Sequence, residues 1–243
     1  MSLTEIRSGV ELPVERHALT LQTADGQQLV AELALPVGKP PKATLICLHP
    51  LPTHGGFMDS HVMRKASNRL PYLAEVAVLR FNTRGTSSPH GTSTGAFDGG
   101  VAERYDLEAA VAYAIAAGLP NRWLLGWSFG TELALKYGAN QDVLGAILMS
   151  PPLHRATQQD LEVWNHNDKR VVGIIPEFDD YLVPSDAAVG FAVMRKFEQV
   201  NIDGGKHLWV GEDQVRQVLN EIVKVAAPWA YPLPNEVELP NAV

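Results

Sequence analysis

Trp123-Leu124-Leu125-Gly126-Trp127-Ser128-Phe129-Gly130-Thr131-Glu132-Leu133-Ala134-Leu135 runs from an apolar segment into a helical one, through a serine with glycines two positions away on each side. A serine exposed at the tip of a strand sits in a turn so sharp that side chains two residues before and after it would collide, and glycine removes them. The bare pentad Gly126-Trp127-Ser128-Phe129-Gly130 also suits a turn whose serine merely caps the following helix. The apolar run before it and the helical run after it favour Ser128 as an exposed nucleophile.

Outward from this turn, short apolar runs bounded by turn residues recur at 44–48, 77–81, 123–126, 146–150 and 171–175, the pattern of strands buried on both faces. Helix-length segments lie between them, most clearly at 102–117, 128–139 and 212–227. In the first of these Leu107, Ala110, Val111 and Ala114 share one face, and Gly118 and Pro120 stop the helix. Such alternation predicts a mostly parallel sheet with helices on both faces. Near the start, residues 17–21 and 29–33 alternate around Asp25-Gly26 and predict an antiparallel hairpin. At 243 residues the chain suits a single domain over 1–227. The prolines at 228, 232, 234 and 240 are expected to deny regular structure to a tail over 228–243.

Composition narrows the function. Hydrophobic residues make up 46% and charged residues 19%, as in a globular enzyme. With 27 acidic against 20 basic residues, net charge −7 and no Lys/Arg cluster, nucleic acid is not an expected partner. No basic-then-apolar leader and no long apolar run is seen, so neither is a membrane, and a cytoplasmic location is expected. Cys47, the sole cysteine, lies within an apolar strand and reads as packing.

A serine hydroxyl needs a base in hydrogen-bond reach and a third group to orient that base. His207 follows Ile202-Asp203-Gly204-Gly205-Lys206 and precedes the last helix, on a loop beyond the final strand. His17, His154 and His166 read as surface residues, and His49 as a wall or structural residue of the site. His54, His61 and His90 are candidates for its mouth. No H-E-x-x-H helix or Cys/His pair is present, so neither a metal nor any other cofactor is expected. For the acid, Asp179 or Asp180 ends the strand at 171–175, and either gives the chain order Ser, Asp, His. Asp203 is closer to His207 in sequence, but near neighbours seldom face each other. An oxyanion would be met by the N–H of Phe129 and by one from His49-Pro50-Leu51-Pro52, where the prolines carry none and Leu51 is the natural donor.

Leu48-His49-Pro50-Leu51-Pro52 with Gly55-Gly56, Leu79-Arg80-Phe81-Asn82-Thr83-Arg84-Gly85, Phe97-Asp98-Gly99-Gly100 leading to Glu103 and Asp106, and the turn at Ser128 together resemble the small, lidless bacterial members of the α/β-hydrolase family. The resemblance spans most of the chain. It implies the α/β-hydrolase fold, a Ser128–Asp179–His207 triad and an oxyanion site at Leu51 and Phe129. Trp127, His49 and His54 are then site-lining candidates, and Arg84, Asp98, Glu103 and Asp106 structural points. The chain departs from its relatives in a longer, Ser/Thr-rich loop at 86–96 and in Pro176, where a glycine is usual. A serine at the turn, rather than Asp or Cys, points away from dehalogenase and dienelactone-type chemistry.

The expected activity is hydrolysis of a small acyl ester through an acyl-enzyme. Thioesters, amides and peptides stay open on the same residues, as does a non-catalytic binding protein keeping the fold. A homo-oligomer also stays open. Residues 151–170, polar and with room for one short helix around Leu161 and Trp164, are too short for a large lid.

Overall fold

The apolar runs build one eight-stranded sheet. In the computed structural model, which describes residues 3–239, its strands are β1 (Val14–Gln22), β2 (Gln28–Pro36), β3 (Ala43–Leu48), β4 (Val76–Phe81), β5 (Arg122–Trp127), β6 (Gly145–Met149), β7 (Arg170–Phe178) and β8 (Phe197–Lys206). They lie side by side in the order β8-β7-β6-β5-β3-β4-β2-β1. Every neighbouring pair from β3 to β8 is parallel, whereas β1 and β2 form the antiparallel hairpin and β2 joins β4 antiparallel. The mostly parallel sheet with an N-terminal hairpin expected from the sequence is the one observed.

Side-chain alternation splits the core into two layers. Ile46 and Leu48 of β3, Leu124 of β5 and Ala146 and Leu148 of β6 face one layer. It is covered by α2 (Glu103–Ala116), α3 (Phe129–Tyr137), α4 (Gln158–Val163) and α5 (Pro184–Gly190). Leu45 and Cys47, Leu125 and Trp127, and Ile147 and Met149 face the other layer, under α1 (His61–Ala74) and α6 (Glu212–Ala226). A fully buried aliphatic side chain is worth roughly 1.5–3 kcal/mol, and in both layers the strands contribute them in alternation, so their register is strongly fixed. Glu212, the first residue of α6, ties the two helices by ion pairs to Lys65 and Arg69 of α1.

Helix α1 carries a weaker sequence signal than the three segments expected above, since Pro71 interrupts it near its end. One expectation needs correction. The tail is not devoid of regular structure: Glu236–Glu238 pairs antiparallel with Leu3–Glu5. A proline removes only its own N–H, and the five residues between Pro234 and Pro240 keep theirs, of which Glu236–Glu238 pair. The Trp229 indole N–H donates to the Ala74 carbonyl (3.1 Å) and Leu233 N–H to Asn220 Oδ1 (2.8 Å), fastening the tail along α1 and α6. Residues 240–243 of the expected tail lie outside the described residues. No helix among those described is long and apolar enough to cross a membrane.

Strand register sets the site. Leu48 of β3 is paired with Gly126 of β5, so the turns leaving both strands, 49–51 and 127–129, rise side by side. Phe178 of β7 is paired with Lys206 of β8, so the next residues, Asp179 and His207, emerge together. Between this pair and Pro176↔Ile202, β8 holds three residues opposite Glu177 alone. Asp203-Gly204-Gly205 absorbs the excess as a bulge: Gly204 takes φ +68, a Cβ on Gly205 would meet the Ile202 carbonyl at 2.8 Å, and the Gly204 N–H donates to Glu177 (2.6 Å).

Candidate active site

Ser128 occupies the turn between β5 and α3 at φ +51, ψ −114, a conformation that a non-glycine residue adopts only under constraint. Both flanking glycines are required. A Cβ on Gly126 would lie 2.7 Å from Gly130 O and Thr131 N, and one on Gly130 would lie 1.9 Å from the Leu48 carbonyl oxygen. The first closes the turn on itself; the second lets α3 start hard against β3.

The serine Oγ lies 3.0 Å from His207 Nε2, and His207 Nδ1 lies 3.0 and 3.1 Å from the Asp179 carboxylate oxygens. The Nδ1–H therefore donates to the carboxylate, leaving Nε2 to accept the serine proton. Asp179 also accepts the backbone N–H of Tyr181 (2.8 Å) and Leu182 (3.2 Å), which fixes the carboxylate before any ligand arrives. Asp179 and His207 are buried and Ser128 is half-buried, whereas Asp180 and Asp203 are exposed. Of the three candidate acids, the structure brings Asp179 to His207.

No family model and no curated protein sequence matches the chain. Among solved structures, it resembles a lidless α/β serine hydrolase from Xanthomonas campestris at 27% identity and a TM-score of 0.72, over 93% of this chain and 100% of that one. It also resembles an α/β serine hydrolase homologue from Coxiella burnetii (24%, 0.71, over 86% and 96%) and an esterase from Pyrococcus furiosus (17%, 0.69, over 88% and 94%), which speak to the fold alone. The chain belongs to the α/β-hydrolase superfamily.

In this α/β-hydrolase, Ser128 opens into a cavity of about 320 Å³ walled by Pro50, Leu51, His54, Phe129 and Pro152 on one part and by His154, Arg155, Tyr181, His207 and Leu208 on the rest. Neither the Leu51 nor the Phe129 N–H donates to an acceptor among the described residues, so both remain available to a bound oxyanion. His54 is on the wall. Trp127 and His49 lie beneath it: the Trp127 indole N–H donates to the His207 carbonyl (3.1 Å), and His49 is buried. His61 sits behind, with Nε2 on the Leu208 carbonyl (2.7 Å), and His90 pairs with Asp59 in a different cleft. His154, expected as a surface histidine, is exposed but lines the cavity.

The loop at 86–96 folds back on the sheet: Ser93 Oγ accepts from Val30 N–H (3.0 Å) and Thr94 N–H donates to the Gln28 carbonyl (2.9 Å), and none of its residues walls the cavity. Helix α4 packs down on α3 through Leu161, and Trp164 just after it donates its indole N–H to the Leu135 carbonyl (2.9 Å). Arg84, whose Nε and Nη2 both donate to Oδ1 of the buried Asp106 and which also pairs with Asp25, and Glu103, which accepts the Asp98 and Gly100 N–H groups (2.7 and 2.8 Å), brace the segments around the start of α2. Burial pushes the Cys47 thiol up to about 12, which removes it from nucleophilic chemistry.

Three supporting residues escaped the sequence reading. Ser150, at φ +48 just past β6, adds a second donor to the His207 carbonyl (3.2 Å). Tyr181 sets its ring edge-on to the His207 imidazole, centroids 4.6 Å apart. Glu132 is buried in α3 and accepts three backbone N–H groups from 154–156. A carboxylate in the first turn of a helix is the only sequence signal for the last, and it does not distinguish a surface residue from a buried clamp.

His49 has its own consequence. Its Nε2 accepts the Thr83 N–H (3.0 Å), so Nδ1–H donates to the Pro50 carbonyl (2.7 Å) and holds the turn that carries Leu51. Burial pushes the imidazole down from 6.5 to about 4. The unfolded chain therefore takes up a proton in that interval that the folded protein refuses. The stability due to His49 is whole above pH 6.5 and declines as pH falls to about 4, by about 3 kcal/mol. Denaturant unfolding of the wild type and of His49→Gln between pH 4 and 7 checks this: the wild type should show the steeper slope, and equal slopes would assign the loss to other groups.

Proposed function

We propose that the chain is a serine hydrolase that cleaves a small acyl ester. The observation that carries this is the continuous hydrogen-bonded line from Ser128 Oγ through His207 to Asp179 at 3.0 Å per link, on a strained, cavity-facing turn. Ser128 Oγ attacks the carbonyl carbon as its proton passes to His207 Nε2, and Asp179 stabilises the resulting imidazolium. The Leu51 and Phe129 N–H groups receive the developing oxyanion. Collapse returns the proton from His207 to the departing alcohol and leaves an acyl-Ser128, which water, activated by the same imidazole, hydrolyses to the free acid. The reading needs no cofactor. The lidless Xanthomonas campestris hydrolase supports it as the relative nearest in identity among those described above.

A fluorophosphonate probe tests the nucleophile: it should label the native protein and not Ser128→Ala, and an unlabelled, folded native protein would favour a binding role. A parallel screen of esters, thioesters and amides fixes the bond class. Chain length is a separate expectation. Each added methylene gains ~0.8 kcal/mol only where it is buried, and neither 86–96 nor α4 covers the cavity. kcat/KM for nitrophenyl esters from acetate to palmitate should peak at short acyl groups, with no jump as micelles form. A maximum at long chains would require an apolar cover that these segments do not supply.

A further inference from the structure

One cationic residue on the cavity wall has no task in acyl transfer. It is Arg155, which stands with His154 and His54 on a lining that holds no Asp or Glu side chain. Arg155 is held at three places. Its backbone N–H donates to the buried Glu132 carboxylate (3.1 Å), beside those of His154 (2.7 Å) and Ala156 (2.6 Å). Its Nε donates to the Gly99 carbonyl (3.1 Å). Its guanidinium carbon rests 5.3 Å from the centre of the Phe129 ring, on the residue next to Ser128. Gly100, at φ +93, leaves room for this stack, since a Cβ there would come within 3.3 Å of the Phe129 ring and 3.5 Å of Arg155 Cδ.

The head group stays unpaired. Arg16, Arg69, Arg80, Arg84, Arg122 and Arg170 each have a carboxylate partner. Among the described residues Arg155 has none, and its two terminal nitrogens meet no protein acceptor. A guanidinium whose stem is already ordered, with its forked donors free in the cavity that Ser128 opens into, is prepared for a planar anion. Long-range attraction does not explain it, because the protein carries net charge −7.

We propose that the substrate carries a carboxylate close to its scissile carbonyl and that Arg155 binds it. This rests on Ser128 being the nucleophile. The two terminal nitrogens of one planar guanidinium match the two oxygens of a carboxylate.

Two ester pairs test it: nitrophenyl hydrogen glutarate against its methyl ester, with the anion on the acyl side, and 4-acetoxybenzoate against its methyl ester, with the anion on the alcohol side. The ratio of kcat/KM for the anionic over the neutral member, compared between wild type and variant, cancels intrinsic reactivity. In at least one pair it should fall about ten- to a hundred-fold in Arg155→Gln and be partly regained in Arg155→Lys. Unchanged ratios in both pairs, with Ser128 still labelled by fluorophosphonate, would overturn the carboxylate assignment and leave the hydrolase reading standing. A larger Arg155-dependent ratio for acetoxyphenyl phosphate would overturn it in favour of a phosphate. Failure of labelling and of all hydrolysis would remove both. Should Arg155→Gln not fold, Arg155→Lys and salt decide: a wild-type ratio indifferent to added salt would overturn the proposal.

Discussion

Ser128→Ala and His207→Ala are each expected to lower kcat about 10⁴–10⁶-fold while the protein folds normally. The two losses should be alike, and the double variant little worse than either, because nucleophile and base act through one 3.0 Å hydrogen bond and neither works without the other. What survives is the contribution of the Leu51 and Phe129 N–H groups and of substrate binding. Removing the serine hydroxyl also relieves nothing in the backbone, since the φ +51 strain belongs to the turn and not to the side chain. Initial rates on nitrophenyl acetate, with thermal melting as the folding control, give the comparison. A loss under a hundred-fold in either variant would mean that another group is the nucleophile or base.

Asp179→Asn should cost about 10³–10⁴-fold in kcat, with Asp180→Asn within a few-fold of wild type. The new amide keeps its oxygen for the Tyr181 and Leu182 N–H groups and so turns its NH₂ toward His207 Nδ1. That nitrogen must then accept, the ring proton moves to Nε2, and Nε2 faces Ser128 Oγ with nothing to receive its proton. The same assay decides between the two acids, and a larger loss at Asp180 would reverse the assignment.

Much of this was legible in the chain. Gly126 and Gly130 marked the turn because the space they spare is local, though the sequence did not distinguish Gly126, which closes the turn, from Gly130, which meets β3. The strands of the core showed as apolar runs because both of their faces are buried. The preference for Asp179 over Asp180 had no ground in the strand itself, since the choice depends on the Phe178–Lys206 pairing and on the bulge at 203–205, neither of which one strand contains by itself. For the same reason Glu132 and Ser150 were invisible: each meets its partner only after distant segments have folded together. Helix α1 was obscured locally, because Pro71 interrupts an otherwise regular spacing of Val62, Met63, Ala66 and Leu70.

The carbonyl of His207 takes its two hydrogen bonds from Trp127, the last residue of β5, and from Ser150, the first after β6. Ser128 follows Trp127 directly, and its own N–H is bonded to Met149 of β6. Ser128 and His207 are thus bolted to the same two strand ends. When the sheet breathes or twists, both atoms ride the same displacement, and only relative motion could open the gap between them. The proton-transfer distance is in this sense a common-mode quantity, insulated from the vibration of the frame that carries it.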